Sequence, residues 1–449
     1  MFFDRPNMGT RVLLAAIQPR WRPGVEDPDE LRELARAAGA SVVGIMAIAL
    51  AKPDVRTYLT KGKLEALTAE AIALDADAVV VSEDLSPSQE RNLEKVLERR
   101  VICRTELIID IFGQRARTHE GKLQVELAQL RHMTTRLVRG WTHLDRQKGG
   151  VGMRGAGETQ LELDQRIISD RIRHAQEQLE RVRSRRALGR RNRQRHETAT
   201  IALVGYTNAG KSTLFNQLAE ASVFATDMLF ATLDPTMRRV HIPRAGDVVL
   251  ADTVGFIRRL PHRLVDAFKA TLEEVREATL LLHVMDAASE FCAQQQAEVE
   301  SVLREIGAAD LPRIEVMNKI DLLADGAALA AASALATIAR EPAGAPDPGT
   351  VAADAPAVRE PRRVWLSARS GLGLPALRDA IAAQLAGEEQ CGTLTLRPDQ
   401  GRLRAWLYAE GVVGTEQVDS EGRLHLQVKL SRDQVAQVER EHGTQLSPS

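Results

Sequence analysis

Gly205, Gly210, Lys211 and Ser212 stand at the spacing Gly-x-x-x-x-Gly-Lys-Ser inside T-I-A-L-V-G-Y-T-N-A-G-K-S-T-L-F. That spacing grips phosphate when a strand precedes it and a helix follows, and the apolar run Ile201 to Val204 supplies the strand. Gly205, Tyr206, Thr207, Asn208, Ala209 and Gly210 then form a loop whose N–H groups, with the helix start through Thr213, face phosphate oxygens. Lys211 brings a point charge to the β and γ groups, and Ser212 offers a hydroxyl to magnesium.

Further motifs follow in the order such a site requires. The strand Val248 to Ala251 ends in Asp252-Thr253-Val254-Gly255. An acidic residue at that strand end holds magnesium through water, and the Gly255 amide can bond a γ-phosphate only while one is present. In Phe230-Ala231-Thr232-Leu233-Asp234-Pro235-Thr236, Thr232 is the candidate to close its hydroxyl on the magnesium, with Thr236 as the alternative. The candidate catalytic residues are therefore Lys211, Thr232 and Gly255, and the candidate metal ligands Ser212, Thr232 and Asp252.

After Ile314 to Met317 comes Asn318-Lys319-Ile320-Asp321. A carboxylate at Asp321 accepts from both N1–H and the 2-amino group of guanine, whereas adenine has neither donor and would strand it; such mismatches discriminate by about 10⁴. Ser367 and Ala368, after Val364 to Leu366, complete a base pocket through backbone amides. GTP and GDP are the nucleotides this set selects. Ras-like enzymes carry a water-orienting glutamine after the glycine of the second switch, but Gly255 is followed by Phe256, which predicts slow unaided hydrolysis. Asn208 stands where a side-chain carbonyl could hold a monovalent cation such as potassium against the phosphates, supplying the charge an arginine finger gives elsewhere. The alternative is that Asn208 simply suits the turn.

Positioning these loops takes a doubly wound sheet, with every loop at a strand's carboxyl end. A chain of 449 residues exceeds one ordinary core. Residues 1–114 alternate apolar runs (Val12 to Ile17, Ser41 to Ala49, Ala78 to Val81, Val101 to Ile102) with helical stretches, predicting an α/β domain with a largely parallel sheet. Residues 115–197 read as two helical arms. Leu123, Leu127, Leu130 and Leu137 mark one, and Ile168, Ile172, Ala175, Leu179 and Val182 the other. The second arm, unbroken, would be roughly 55 Å long. Residues 198–388 form the nucleotide domain, with an Ala-, Pro- and Gly-rich insertion at about 325–361, and residues 389–449 a small α+β domain closed by a helix. No apolar stretch approaches the roughly 20 residues of a membrane span. With no continuous apolar region at the amino terminus, the chain is expected in the cytoplasm without integral membrane association. Cys103, Cys292 and Cys391 lie far apart with no metal-ligand spacing, and read as packed or surface thiols.

The net charge of −1 conceals an asymmetry. From Phe2 to Asp110 there are 15 Lys and Arg against 18 Asp and Glu, but from Arg115 to His196 there are 20 against 9. Such segregation is the footprint of a polyanion partner, or else a solvated helix face. Arg181, Arg183, Arg185, Arg186, Arg190, Arg191 and Arg193 crowd the end of the long arm. Between the arms, Gly149 to Gly157 contains five glycines in nine residues around Arg154, a loop able to approach phosphates or bases closely.

The combination of G-Y-T-N-A-G-K-S-T-L-F-N, L-F-A-T-L-D-P-T, D-T-V-G-F-I-R-R-L-P-H, L-S-P-S-Q-E-R-N-L-E, E-G-K-L-Q-V-E-L-A-Q-L and G-G-V-G-M-R-G-A-G-E-T-Q-L-E resembles the HflX family over about Arg11 to Ala287. The resemblance implies a GTPase of the translation-factor superclass that binds the large (50S) ribosomal subunit and separates stalled or idle 70S ribosomes. Ribosomal RNA becomes the polyanion, recognised by shape and phosphate charge. Arg154 and the seven arginines of the long arm are the candidate contacts. No DNA partner is expected, and a monomer off the ribosome is. The resemblance also implies a second, weaker nucleotide capacity, for ATP, in the amino-terminal domain, where Thr60 and Cys103 depart from the family's glycine and aspartate. Two other readings stay open on the residues alone: an ATP-dependent RNA-remodelling protein regulated by GTP, and a signalling GTPase acting on protein partners.

Overall fold

A computed structural model describes residues 9–21, 28–140, 160–195, 198–219, 229–230, 232–233, 236–258, 269–331, 362–385, 390–397, 400–419, 423–430, 434–435, 438–439 and 447–448. They fall into two compact units: Met1–Arg190 with Ala225–Asp234 and Ile257–Leu272, and Arg191–Phe224 with Pro235–Phe256 and Glu273–Ser449.

In the first unit β1 (Arg11–Pro19), α1 (Pro28–Ala37), β2 (Ser41–Leu50), α2 (Lys61–Ala73), β3 (Ala78–Val81), α3 (Pro87–Leu97), β4 (Arg100–Cys103) and α4 (Arg104–Arg115) alternate along the chain. The strands pair in the order β2-β1-β3-β4, and each pairing is parallel. Parallel strands are covered on both faces, which is why Val12 to Ile17 form one uninterrupted apolar run, every residue of it buried. Leu13, Ala15 and Ile17 pack with Leu64, Leu67 and Ala71 of α2 and with Leu93 and Leu97 of α3. α3 starts sharply because Ser86 and Gln89 form a reciprocal cap, with Pro87 at the first helical position.

α5 (His119–Gly140) belongs to this unit, as does α6 (Gln160–Arg195) as far as Arg190. Leu123 and Leu127 of α5 meet Ala175 and Leu179 of α6, with Ile172 beside them. This is the apolar stripe expected from the sequence, and the Arg171–Glu126 pair runs along its exposed edge at 3.5 Å. α6 is continuous over 36 residues, about 54 Å. The glycine loop, with Arg154, lies outside the described residues. Arg181 is exposed, and Arg183, Arg185, Arg186, Arg190, Arg191 and Arg193 occupy positions in the last turns of α6.

The second unit holds β5 (Thr200–Gly205), α7 (Lys211–Ala219), β6 (Thr236–Ile242), β7 (Gly246–Asp252), β8 (Leu280–Asp286), α9 (Cys292–Glu305), β9 (Arg313–Asn318), β10 (Arg362–Trp365) and α10 (Leu374–Leu385); the division between units falls within α8 (Lys269–Arg276). The order is β10-β9-β8-β5-β7-β6. All pairs are parallel except β6 with β7. From β5 the chain fills one side of the sheet and then crosses to the other, so the doubly wound order reverses at β5. That reversal leaves a crevice at the carboxyl end of β5, where such sheets bind ligands. Ile201, Leu203, Leu250, Leu282 and Val316 form the centre of its core with Leu214 and Phe215 of α7. Residues 326–331 are helical, and the remainder of the insertion, 332–361, lies outside the described residues.

β11 (Gln390–Leu396), α11 (Gly401–Ala409), β12 (Val413–Val418), β13 (Leu424–Leu430) and β14 (Ser447–Pro448) form an antiparallel sheet in the order β12-β13-β11-β14. Leu403 and Leu407 of α11 pack against Leu394, Leu396, Leu426 and Val428, an α+β arrangement. Most of the closing helix expected from the sequence lies outside the described residues, although Val438 is buried in this core. Among the described residues no helix is long and apolar enough to cross a membrane.

Candidate nucleotide site

The loop after β5 is built around a buried lysine. Lys211 begins α7, and its Nζ donates to the carbonyls of Gly205 at 3.1 Å and Tyr206 at 2.7 Å. Burial lowers the ammonium to about 8, against the pull of the Asp252 carboxylate, which raises it. A phosphate group would add negative charge beside a cation that the fold has stripped of water. Gly210 turns the loop at φ 93°, and a Cβ there would lie 2.2 Å from Asn318 Nδ2. Asn208 sits at φ 61°, a left-handed conformation that asparagine tolerates, so the turn by itself accounts for an asparagine at this position.

The carboxyl end of β7 lies against this loop. Ser212 Oγ donates to Asp252 Oδ2 at 2.7 Å, and Asp252 is fully buried. Thr253 Oγ1 donates to Leu203 O at 2.5 Å. The backbone then crosses directly to the phosphate loop: Thr207 N donates to Phe256 O at 2.7 Å and Phe256 N to Gly205 O at 3.1 Å. Gly255 is held so near that a Cβ would fall 2.8 Å from Thr207 Cγ2 and 3.0 Å from Lys211 Nζ. Phe256, which stands where a water-orienting glutamine would, is buried and serves through its backbone. Its role was invisible in sequence because main-chain bonds carry it.

On the other side of β5, Asn318 ends β9 and joins two loops. Its Nδ2 donates to Ala209 O at 2.8 Å, and its Oδ1 accepts from Ala368 N at 2.9 Å. Lys319 adopts φ 63° and its Nζ pairs with Asp286 at 2.8 Å. Asp286 ends β8 at the same sheet edge, and an acidic residue at a strand's carboxyl end is the sequence signal for it. Asp321 follows, exposed, on the 3-10 turn Ile320–Leu322. Ser367 is fully buried, and its Oγ accepts from Ser370 N at 3.2 Å.

The structure thus brings together, within the second unit, Gly205 to Thr213, Asp252 to Gly255, Asn318, Lys319, Asp321, Ser367 and Ala368. Phe230 and Thr232 belong to the first unit, and Ala231 lies outside the described residues. The Phe230 ring packs edge-on against Phe112 of α4, with centroids 4.6 Å apart, and its backbone is left-handed at φ 56°. The alternative, Thr236, opens β6 directly opposite Asp252 in register.

Replacing Asn318 by alanine should be costly, because Ala209 O and Ala368 N would both lose a buried partner at about 1–3 kcal/mol each. Denaturant unfolding of Asn318→Ala should show a loss of about 2–4 kcal/mol, and a loss under about 0.5 kcal/mol, the size of an ordinary surface substitution, would mean the bridge is not a structural fastening.

Four family models match the chain: GTP-binding GTPase N-terminal over residues 26–113, GTP-binding GTPase Middle Region over 115–193, 50S ribosome-binding GTPase over 200–319 and HflX C-terminal domain over 355–449. GTPase HflX of Escherichia coli (strain K12) is 48% identical over 428 residues, 95% of each chain. The protein of that name from Caldanaerobacter subterraneus subsp. tengcongensis is 42% identical over 397 residues, covering 88% of this chain and 86% of its own. That from Magnetococcus marinus is 50% identical over 315 residues, 70% of this chain and 73% of its own. With its motifs on one sheet edge and 95% of its length matched at this identity, the chain belongs to the HflX family of GTPases.

Proposed function

We propose that this chain binds GTP at the edge of the second unit's sheet, hydrolyses it to GDP and phosphate, and associates with the large (50S) ribosomal subunit to separate stalled or idle 70S ribosomes. The observation carrying the nucleotide half is Asn318, whose amide fastens the phosphate loop to the Ser367–Ala368 loop. Lys211 neutralises the β- and γ-phosphates, the Gly255 amide senses the γ-phosphate, and Asp321 reads the base while Ser367 and Ala368 shape its pocket. The Ser212 hydroxyl and Asp252 carboxylate, hydrogen-bonded to each other at 2.7 Å, are hard oxygen donors of the kind magnesium takes. Magnesium, when bound, would neutralise charge developing on the phosphates.

With Phe256 in place of a glutamine, turnover should be slow alone and rise with 50S subunits. Should the Asn208 carbonyl hold a monovalent cation, potassium should support faster hydrolysis than sodium. Equal rates in the two salts, with and without subunits, would remove the cation role and leave the GTPase intact.

The division at 1–114, 115–197, 198–388 and 389–449 assigns RNA binding to the second segment and nucleotide chemistry to the third. The protein acts in the cytoplasm, as a monomer off the ribosome. The resemblance also supports ATP binding in the amino-terminal domain; ATP turnover surviving Lys211→Ala would place it there. Sucrose gradients of 70S ribosomes with this protein and GTP, GDP or a non-hydrolysable analogue test the reading as a whole. Subunits should separate with GTP or the analogue, and undisturbed 70S peaks in all three would refute splitting.

A further inference from the structure

We propose that Cys103, Glu106 and His132 form a zinc site that fastens the first hairpin arm to the amino-terminal sheet. The three residues come from the end of β4, the first turn of α4 and the middle of α5, and their ligand atoms all lie within 4.8 Å of one another. A thiolate, a carboxylate and an imidazole form a mixed set of soft, hard and borderline donors, which zinc accepts in tetrahedral geometry. Cys103 and Glu106 are buried and His132 is half-buried, which leaves an ion a way in past the imidazole. No spacing rule finds this set, since Glu106 lies one helical turn after Cys103 and His132 belongs to another element.

The surroundings are those of supported ligands. Arg136, one turn beyond His132, donates from Nη2 to Cys103 Sγ at 3.4 Å and from Nη1 to Glu106 Oε2 at 3.2 Å. Arg100 Nη2 donates to Glu106 Oε1 at 2.8 Å. Each carboxylate oxygen keeps a second lone pair for a metal, and donors of this kind fix the orientation of metal ligands from behind. Glu90 pairs with Arg136 at 2.6 Å. The competing account is that Arg136 and Arg100 are themselves the cations that neutralise the cluster.

Full-length protein with GDP and excess magnesium, which occupy the nucleotide site, is titrated with cobalt(II) and then zinc(II). The expected result is a thiolate-to-cobalt charge-transfer band that zinc abolishes. The Cys292→Ser/Cys391→Ser double variant should retain it, and Cys103→Ser should lose it. Zinc affinity, measured against a chromophoric chelator, should fall about tenfold or more in His132→Ala and in the isosteric Glu106→Gln. Absence of the band from the wild-type protein overturns the site whether or not any variant folds. So does a band that persists in Cys103→Ser, or zinc affinity unchanged in both ligand variants.

Discussion

Asp321→Asn should lose GTP affinity by on the order of 10²- to 10⁴-fold, because two hydrogen bonds to a carboxylate contribute about 1.5–3 kcal/mol each and every 1.4 kcal/mol is tenfold. Guanine presents N1–H and a 2-amino group, and the asparagine amide can accept from only one of them while turning a donor toward the other. Xanthosine triphosphate carries a carbonyl at position 2, so the same variant should bind it better than the wild type does. Surroundings favour a clean result. Asp321 is exposed on its 3-10 turn, and the turn is fixed by Lys319 at φ 63° and by its pairing with Asp286, so the substitution changes the reading edge and leaves the backbone alone. Competition of labelled GDP with the two triphosphates measures both affinities. Unchanged GTP affinity would remove Asp321 from the base pocket.

What the sequence revealed and what it hid divide along a physical line. Local constraints print themselves in the chain. A strand covered on both faces must be apolar throughout, as Val12 to Ile17 are. A packed helical arm must repeat its apolar residues at three and four, as Leu123 and Leu127 do against Ala175 and Leu179. The phosphate loop is legible because glycine, lysine and serine must stand at fixed distances along one turn. Bonds formed across the fold leave no such trace. Asn318 was read as part of a guanine motif, but its two bonds reach residues 109 and 50 positions away. Phe256 stands where a catalytic glutamine would, and its main chain also ties the end of β7 to the phosphate loop. Cys103 is the packed thiol its sequence suggests, but its nearness to Glu106 and His132 arises from three separate elements.

Base reading rests on one carboxylate, whereas the proposed RNA binding rests on the sum of many charges. Arg181, Arg183, Arg185, Arg186, Arg190, Arg191 and Arg193 occupy consecutive turns at one end of a helix that continues without a break from Gln160 to Arg195. A helix about 54 Å long spreads these charges over its last turns, where ribosomal RNA is the proposed partner. If six or more of them neutralise phosphates, affinity for 50S subunits should fall by about 10³-fold or more between 50 and 200 mM salt. Each contact contributes about 0.7–0.9 to the slope of log affinity against log salt, so alanine at Arg185, Arg186 and Arg190 should flatten that slope by about 2–3. Arg154 should behave differently, since a single charge on a glycine loop acts through its placement. Arg154→Ala should impair 70S splitting more than subunit binding and leave turnover without ribosomes near normal. Subunit affinity at several salt concentrations, read beside intrinsic turnover, separates the cases. A triple variant with unaltered affinity and slope would make the arm a solvated face, and recognition of the ribosome would then have to lie elsewhere in the chain.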